Sequence, residues 1–427
     1  MNDYRFGVYD HKYVDKNDNN QIQRSLIVLK DSYGNIVRWT DFHRYARNPK
    51  DKTRSLYVSH RGRCIHICIL LNYVFFDNYH IDSLNALTSA MVIHFLQDYG
   101  LCKLKNDTEK THRSKNTVET CIRSISDFIK LLSEDNPDCK IKFSDLFRKE
   151  KIFSKSKRRF IDTEVPKFEV LFRPATDTIF RDLPDGVFEI IMNKVITSYP
   201  KLLMLFALSA FAGLRPSEAC NVRREDSPLG SGIRFEMTDG EVTNVFIDLR
   251  EEKSLRSDMV SVGSIKKERI QKVYPNFLNI FVDCYNRYMK YIEGHPYETE
   301  YGVLTNTSYG KAYTYPAYRV AFQNVVESCI PEMLASEDAQ IVHYGHLLQE
   351  KRISPHILRH WYSVKLTLYG EDVAGLMTWR GDKSPESALT YLQNKSELEK
   401  QFNKVSEKIF DYSLWKAEKL NGGITHD

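Results

Sequence analysis

The segment Leu208-Ser-Ala-Phe-Ala-Gly-Leu-Arg-Pro-Ser-Glu-Ala219 decides the fold, because it places a sharp corner between two predicted helices. Its apolar residues are typical of a buried helix, and Gly213 tolerates the left-handed conformation that ends one. Pro216 suits the first turn of the next helix. Arg215 therefore lies in the corner, where Glu218 can hold its guanidinium. Such a guanidinium can clamp an oxyanion, and an ion pair on a surface corner is an equally good interpretation.

A second segment, Ser354-Pro-His-Ile-Leu-Arg-His-Trp-Tyr-Ser-Val-Lys-Leu366, predicts another helix. Pro355 can begin it, and His356 and Arg359 then project from the same face of its first turn. That face presents two cationic or hydrogen-bonding groups. A structural histidine that caps its own helix is the alternative interpretation.

Length and composition indicate a folded, multi-domain protein. The chain has 427 residues, of which 42% are hydrophobic and 27% charged, so we expect two or three globular domains. The apolar runs are shorter than the ~20 residues needed to cross a bilayer, and the N-terminus lacks an apolar signal segment. The eight cysteines form no Cys-x-x-Cys pair. We therefore expect a cytoplasmic protein with reduced thiols and neither a disulfide framework nor a structural metal.

The pattern of apolar residues changes along the chain. Short alternating runs predict a β-rich extension over residues 1–52, and helical periodicity predicts three or four helices over 53–150. A longer helical region spans 177–415 and is interrupted by strand-like alternation at 242–249 and 259–262. The predicted fold class is mainly α with a small β-sheet, or α+β.

Basic residues are concentrated in the first part of the chain. Residues 1–176 hold 31 Lys and Arg against 22 Asp and Glu, whereas 177–427 hold 30 against 34. We interpret 151–176 as a basic linker between domains. A solvated connector and a strap along a polyanion both fit this run. The candidate polyanion contacts are Lys151, Lys155, Lys157, Arg158 and Arg159.

The two segments resemble a known family. Residues 212–218 resemble the first signature box of the tyrosine recombinases (phage-integrase family), and His356-Ile-Leu-Arg359-His360 resembles the second, His-x-x-Arg. The order of the boxes and the preceding helical domain agree over about residues 55–415. The resemblance implies a helical core-type DNA-binding domain at 53–150, a catalytic domain at 177–415 and a C-terminal tail at 416–427.

The resemblance also implies a nucleophilic tyrosine and a lysine on a β-hairpin. Tyr391 follows Arg359 by 32 residues, the family interval, and Tyr412 is a distant second candidate. In the family the lysine precedes a strand that ends in proline, and alignment of Pro275 with that proline selects Lys267. Lys266 is the alternative, and only one of the two can point inward because strand neighbours face opposite ways.

One position departs from the family pattern. Asp382 stands where the family usually has His or Trp, and an ionised carboxylate cannot donate to a phosphate oxygen and repels it. Asp382 could be protonated, could orient Arg380 or His360, or could leave the role to Trp379.

The implied activity is that of a site-specific DNA recombinase, an integrase or transposase of a mobile element. The implied reaction proceeds through a 3′-phosphotyrosine without metal, cofactor or ATP, and no Walker motif contradicts this. Tyr391 would attack the phosphorus, and Arg215 and Arg359 would clamp the transition state. His356 would handle protons, and Lys267 would act as the general acid.

The implied partner is double-stranded DNA, bound by a homotetramer, with accessory directionality or architectural proteins and no membrane. This implies a nucleoid-associated protein, in which residues 1–52 are an arm-site module or an edge extension. Two alternatives remain. One is a catalytically weak or inactive DNA-binding regulator, altered at Asp382, and the other is a type IB topoisomerase, which shares the chemistry.

Overall fold

The computed structural model describes residues 4–17, 19–49, 60–109, 111–154, 159–173, 183–296 and 301–382. These residues form two compact units. The first contains described residues of 1–13 and 22–178, and the second contains those of 14–21 and 179–427. No single helix in the described ranges is long and apolar enough to span a membrane. Two helical segments, Asp185–Ser198 and Pro200–Ala210, reach that length only together, across a bend of 115°.

The first unit combines a small sheet with helices. Its sheet has the order β1-β2-β3, with strands Arg5–Val14, Gln21–Lys30 and Ile36–Trp39. Its helices are α1 Arg61–Asn72, α2 Ser89–Gly100, α3 Lys115–Asp135 and α4 Phe143–Leu146. The hydroxyl of Ser114 caps α3 by accepting from the backbone N of Thr117 at 3.2 Å. Phe95 of α2 and Phe128 of α3 are fully buried in the core that these helices share.

A β-hairpin lies where the sequence predicts the first part of the linker. Strands β4 Phe147–Ser154 and β5 Arg159–Pro166 pair antiparallel over their whole length. Lys151 lies opposite Asp162, and Phe153 lies opposite Phe160. Opposite charges and aromatic pairs stabilise antiparallel strands, which is why this stretch is paired and is not an extended connector.

The second unit is mainly helical and also carries a small sheet. Its helices are α5 Asp185–Ser198, α6 Leu203–Ala210, α7 Pro216–Ala219, α8 Leu278–Gly294, α9 Tyr315–Leu334, α10 Ala339–Glu350, α11 His356–Leu368 and α12 Val373–Arg380. Its sheet has the order β6-β7-β8, with strands Ile233–Thr238, Glu241–Asp248 and Ile270–Lys272.

One of the two strand predictions in this unit is confirmed. The alternation at 242–249 corresponds to β7, but 259–262 is not a strand. Met259 has a φ of 53°, and the backbone N of Val260 donates to Asp258 Oδ1 at 3.2 Å. Arg256 pairs with the same carboxylate at 2.5 Å. A turn closed by an ion pair therefore replaces the predicted strand.

Gly213 brings α6 and α11 into contact. All eight residues of α6 are buried, and the chain leaves the helix through Gly213, whose φ is +64°. A Cβ at this position would lie 2.3 Å from the ring of Tyr362 on α11. Glycine is therefore required both by the backbone conformation and by the close approach of α11. The Arg215 corner consequently lies against the helix that carries Arg359.

α11 is also anchored to the start of α5. The carboxylate of Asp185 accepts from Trp361 Nε1 at 2.8 Å and from Lys365 Nζ at 2.6 Å. The rings of Phe188 and Trp361 stack with centroids 3.9 Å apart. These contacts hold α11 in place, and with it the side chains on its first turn.

Candidate active site

Arg215 occupies the corner between α6 and α7. Its backbone N donates to Glu218 Oε2 at 3.1 Å, and its Nη1 donates to Glu218 Oε1 at 3.0 Å. The Glu218 side chain is fully buried. Because one carboxylate holds both the backbone and the guanidinium, the direction of the Arg215 side chain is fixed.

Arg359 projects from the first turn of α11 and is 1% exposed. Its Nη1 donates to the carbonyl of Gly213, and its Nη2 donates to the carbonyl of Arg380 at 2.7 Å. Burial, together with Arg215 and Arg380, lowers the pKa of Arg359 to about 9. The guanidinium therefore remains charged at neutral pH and joins the ends of α6 and α12.

The end of α12 determines where Asp382 lies. Gly381 has a φ of 62° and donates its N–H to the carbonyl of Thr378 at 3.1 Å. The backbone N of Asp382 donates to the carbonyl of Met377 at 2.8 Å. This pair of bonds is a Schellman C-terminus, which turns the chain sharply after the helix.

The Asp382 carboxylate lies among three arginines. Its Oδ1 accepts from Arg215 Nη2 at 2.8 Å and from Arg359 Nη2 at 3.1 Å. Its Oδ2 lies 3.1 Å from Nε of Arg380. One role that the sequence leaves open for Asp382 is to orient Arg380, and a contact with Arg380 is present. The carboxylate also bridges Arg215 and Arg359, the arginines of the two signature boxes.

His356 is a neutral group at physiological pH. Burial lowers its pKa to about 3, with further lowering by His360 and by the charges of Arg359, Arg380 and Arg215. The rings of His356 and His360 are perpendicular, with centroids 4.8 Å apart. His356 can therefore exchange hydrogen bonds, but it does not contribute a positive charge.

The two candidate lysines lie between β7 and β8 and differ in exposure. Lys266 is exposed, whereas Lys267 is half-buried and its Nζ is buried. The carbonyl of Lys267 accepts from Arg269 Nη1 at 3.0 Å. The lysine selected by the proline alignment is thus the one with the buried amine.

Arg269 is a site residue that sequence reasoning missed. Its Nη2 donates to Glu218 Oε2 at 2.9 Å, and its Nη1 donates to Oε1 at 3.3 Å. Burial would raise the pKa of Glu218, but the hydrogen bonds and charges of Arg269 and Arg215 lower it to about 2. The sequence does carry a signal for it: Arg269 lies two positions after Lys267, and side chains two positions apart face the same side of an extended chain.

The described residues contain only part of the predicted site. Arg215, Glu218, Arg359 and Asp382 share one hydrogen-bonded network. Tyr391 and Tyr412 lie outside the described residues, and so do Lys155, Lys157 and Arg158. Lys151 and Arg159 are exposed on the β4–β5 hairpin.

Two guanidiniums that donate to a single oxygen form an oxyanion clamp. Arg215 and Arg359 reach Oδ1 of Asp382 from different helices, and each is fixed by other contacts. Preorganised donors of this kind stabilise negative charge on phosphate as well as on carboxylate oxygens. The arrangement is chemically suited to bind a phosphoryl group.

Comparisons with known proteins find similar solved structures. No family model matches the chain, and no curated protein matches it. The XerH site-specific recombinase bound to difH substrate is 13% identical, with a TM-score of 0.43 over 77% of this chain and 74% of that chain. The Tn1549 transposon integrase with circular intermediate DNA is 16% identical, with a TM-score of 0.46 over 75% and 86%. The XerA recombinase is 14% identical, with a TM-score of 0.34 over 82% and 92%.

These similar structures are recombinases and an integrase.

Proposed function

We propose that this chain is a tyrosine-type site-specific DNA recombinase, an integrase or transposase of a mobile element. The convergence of Arg215 and Arg359 on one carboxylate oxygen, at 2.8 and 3.1 Å, carries the proposal. A nonbridging phosphate oxygen carries negative charge and accepts hydrogen bonds as a carboxylate oxygen does. The scissile phosphate of DNA would take the place of Asp382 between the two guanidiniums.

The proposed reaction exchanges one phosphoester for another. The phenolic oxygen of Tyr391 loses its proton and bonds to phosphorus, while the bond from phosphorus to the 5′ oxygen breaks. Lys267 gives the departing 5′ oxygen a proton, the phenolic proton passes to solvent, and neutral His356 assists by hydrogen bonding. The products are a 3′-phosphotyrosine and a free 5′-hydroxyl. A 5′-hydroxyl of another strand can reverse the step, so the exchange requires neither ATP nor metal.

The DNA contacts are proposed to extend over residues 53–150 and the β4–β5 hairpin. Lys151 and Arg159 lie near the exposed rings of Phe153 and Phe160, which are 51% and 68% exposed. Cations bind the phosphate backbone, and exposed aromatic rings can contact sugars or bases. Recombination would require a homotetramer assembled on double-stranded DNA.

A second candidate function is a DNA-binding regulator that does not cleave. The position of Asp382 favours it, because the carboxylate already fills the oxyanion clamp and would compete with a phosphate. The two candidates differ in one measurable property, the formation of a covalent bond to DNA.

A nicked suicide duplex, made from the DNA that borders the gene, tests the proposal. We expect the wild type and Tyr412→Phe to form an adduct that survives denaturation, and Tyr391→Phe to form none. Binding without an adduct in every variant would favour the regulator. An adduct that persists in Tyr391→Phe would mean that another residue is the nucleophile. Relaxation of supercoiled DNA without sequence preference would indicate a topoisomerase.

A further inference from the structure

We infer that Arg269 is a positioning residue that fixes Lys267 relative to Arg215 through the shared carboxylate of Glu218. This inference rests on the proposed function, in which Lys267 protonates the leaving oxygen. We assign Arg269 no direct contact with the reacting atoms, because both of its terminal nitrogens donate to Glu218.

Each oxygen of the Glu218 carboxylate accepts one hydrogen bond from Arg215 and one from Arg269. Oε1 accepts from Arg215 Nη1 at 3.0 Å and from Arg269 Nη1 at 3.3 Å. Oε2 accepts from the Arg215 backbone N at 3.1 Å and from Arg269 Nη2 at 2.9 Å. Arg269 therefore fixes the carboxylate that in turn fixes Arg215.

The other contacts of Arg269 fix the segment that carries Lys267. Nη1 also donates to the Lys267 carbonyl at 3.0 Å, and Nε donates to Gln271 Oε1 at 2.8 Å. Gln271 is buried and donates from Nε2 to the carbonyl of Trp379 at 2.8 Å. The Arg269 guanidinium thus joins the Lys267 segment to α7. Gln271 joins β8, which follows that segment, to α12.

Gly381 makes room for this guanidinium. A Cβ at Gly381 would lie 2.4 Å from Nε of Arg269. The glycine that forms the C-terminus of α12 and places Asp382 therefore also allows Arg269 to pack there. Arg269 thus contacts the Lys267 carbonyl and the Glu218 carboxylate that holds Arg215. It also packs against Gly381, the glycine that precedes Asp382.

Burial explains why loss of Arg269 would disturb the site. Glu218 is 0% exposed, so its charge depends on its two guanidinium partners. A buried carboxylate that loses a partner is strongly destabilised or draws the remaining partner toward itself. Without Arg269 the Lys267 backbone loses a fixed contact, whereas Arg215 keeps its own bonds to Glu218 and Asp382.

Two suicide duplexes separate the role of Arg269 from a general structural one. Both come from the DNA that borders the gene, and they differ only in whether oxygen or sulfur bridges the scissile phosphorus to the 5′ carbon. A departing thiolate is a far weaker base than an alkoxide, so the sulfur duplex needs little help from a general acid.

We expect Arg269→Gln to slow cleavage of the oxygen duplex by about 10- to 100-fold, with DNA affinity within about threefold of wild type. On the sulfur duplex the defect should shrink to about threefold or less, as it should for Lys267→Ala. Arg215→Lys should remain defective on both duplexes. Arg269→Lys keeps the charge but cannot hold Glu218 and the Lys267 carbonyl together, so it should follow Arg269→Gln.

The matched control is Arg250→Gln. Arg250 follows β7 and pairs with Asp248 at 2.7 Å, but its side chain is 61% exposed. This variant should cleave both duplexes as the wild type does. The folded state of each variant is checked by thermal unfolding, and Arg269→Lys serves if Arg269→Gln does not fold.

Two results would overturn the inference. Either folded Arg269 variants cleave the oxygen duplex within twofold of wild type, or their defect is equal on both duplexes. Failure of the proposed function looks different, because the wild type would then form no adduct with either duplex. In that case a double-mutant cycle of Arg269→Gln and Glu218→Gln in thermal unfolding still measures their coupling.

Discussion

Arg215 donates from Nη2 to Oδ1 of Asp382 at 2.8 Å, although 167 residues separate them in the sequence. The contact places a carboxylate where the proposed reaction requires a phosphate. The carboxylate also neutralises part of the positive charge of the cluster formed by Arg215, Arg359 and Arg380. Asp382 therefore both stabilises the DNA-free site and competes with an anion for it.

Asp382→Asn should weaken the folded protein and strengthen anion binding. The neutral amide loses charge-assisted bonds to the arginines, so we expect the free energy of unfolding to fall by about 2 kcal/mol. Sulfate should then bind the freed guanidiniums about tenfold more tightly than in the wild type. The measurement is the shift in Tm over a sulfate titration.

The control is Asp248→Asn, which removes the ion pair between Asp248, 12% exposed, and the exposed guanidinium of Arg250. It should respond to sulfate as the wild type does. If Asp382→Asn shows the same sulfate response as this control, the carboxylate does not compete for the clamp.

Arg215→Lys and Arg359→Lys should each impair cleavage far more than binding. A lysine cannot supply the two fixed donors of a guanidinium, and loss of one preorganised donor typically costs about 10²- to 10³-fold in rate. DNA affinity should fall only about threefold, because many other phosphate contacts position the protein. Single-turnover adduct formation and gel-shift titration measure the two quantities. Equal losses in both would mean that these arginines only bind DNA.

His356 should make stability depend on pH between about 6.5 and 4.5. Its pKa is lowered from 6.5 to about 3 in the folded protein, so the unfolded chain binds the proton first as the pH falls. The folded state therefore loses stability as the pH drops below 6.5, by about 3 kcal/mol at pH 4.5. The pKa of Glu218, lowered from 4.5 to about 2, adds to this loss only at lower pH.

His356→Asn should flatten this part of the stability profile, as measured by urea unfolding at a series of pH values. His295→Asn, at an exposed position after α8, is the control and should leave the profile unchanged. An unaltered profile in His356→Asn would show that the imidazole is not the group responsible.

The β4–β5 hairpin should contribute to the salt dependence of DNA binding. Lys151→Ala and Arg159→Ala each remove an exposed cation, so each should lower the slope of log affinity against log salt by about 1. The affinity loss should be similar for unrelated DNA sequences. An unchanged slope in both cation variants would place the hairpin away from DNA.

Sequence reasoning was reliable for local features of the site. The left-handed Gly213, the helix that begins at Pro216 and the helical spacing of His356 and Arg359 all follow from near-neighbour geometry. It did not predict the pairing of strands β4 and β5, part of which was interpreted as a linker because a run of cations is typical of a solvated connector.

The charge at Asp382 illustrates the same limit. In the sequence a carboxylate at this position is a source of repulsion for phosphate, and the cations near it in the chain are Arg380 and Lys383. In the structure Arg215 and Arg359 also supply counter-charge. Arg269 was missed for a similar reason, because its partner Glu218 lies 51 residues away.

The sequence by itself determined the helical corner at Arg215, the first turn of α11 and the concentration of basic residues before residue 177. Backbone preference and helical periodicity act over a few residues, so they can be deduced from the order of amino acids. Only the tertiary structure decided that Asp382 lies between Arg215 and Arg359, and that Glu218 is shared with Arg269. Those contacts arise because packing of buried helices brings together charges from distant segments, and a buried charge must find a partner there.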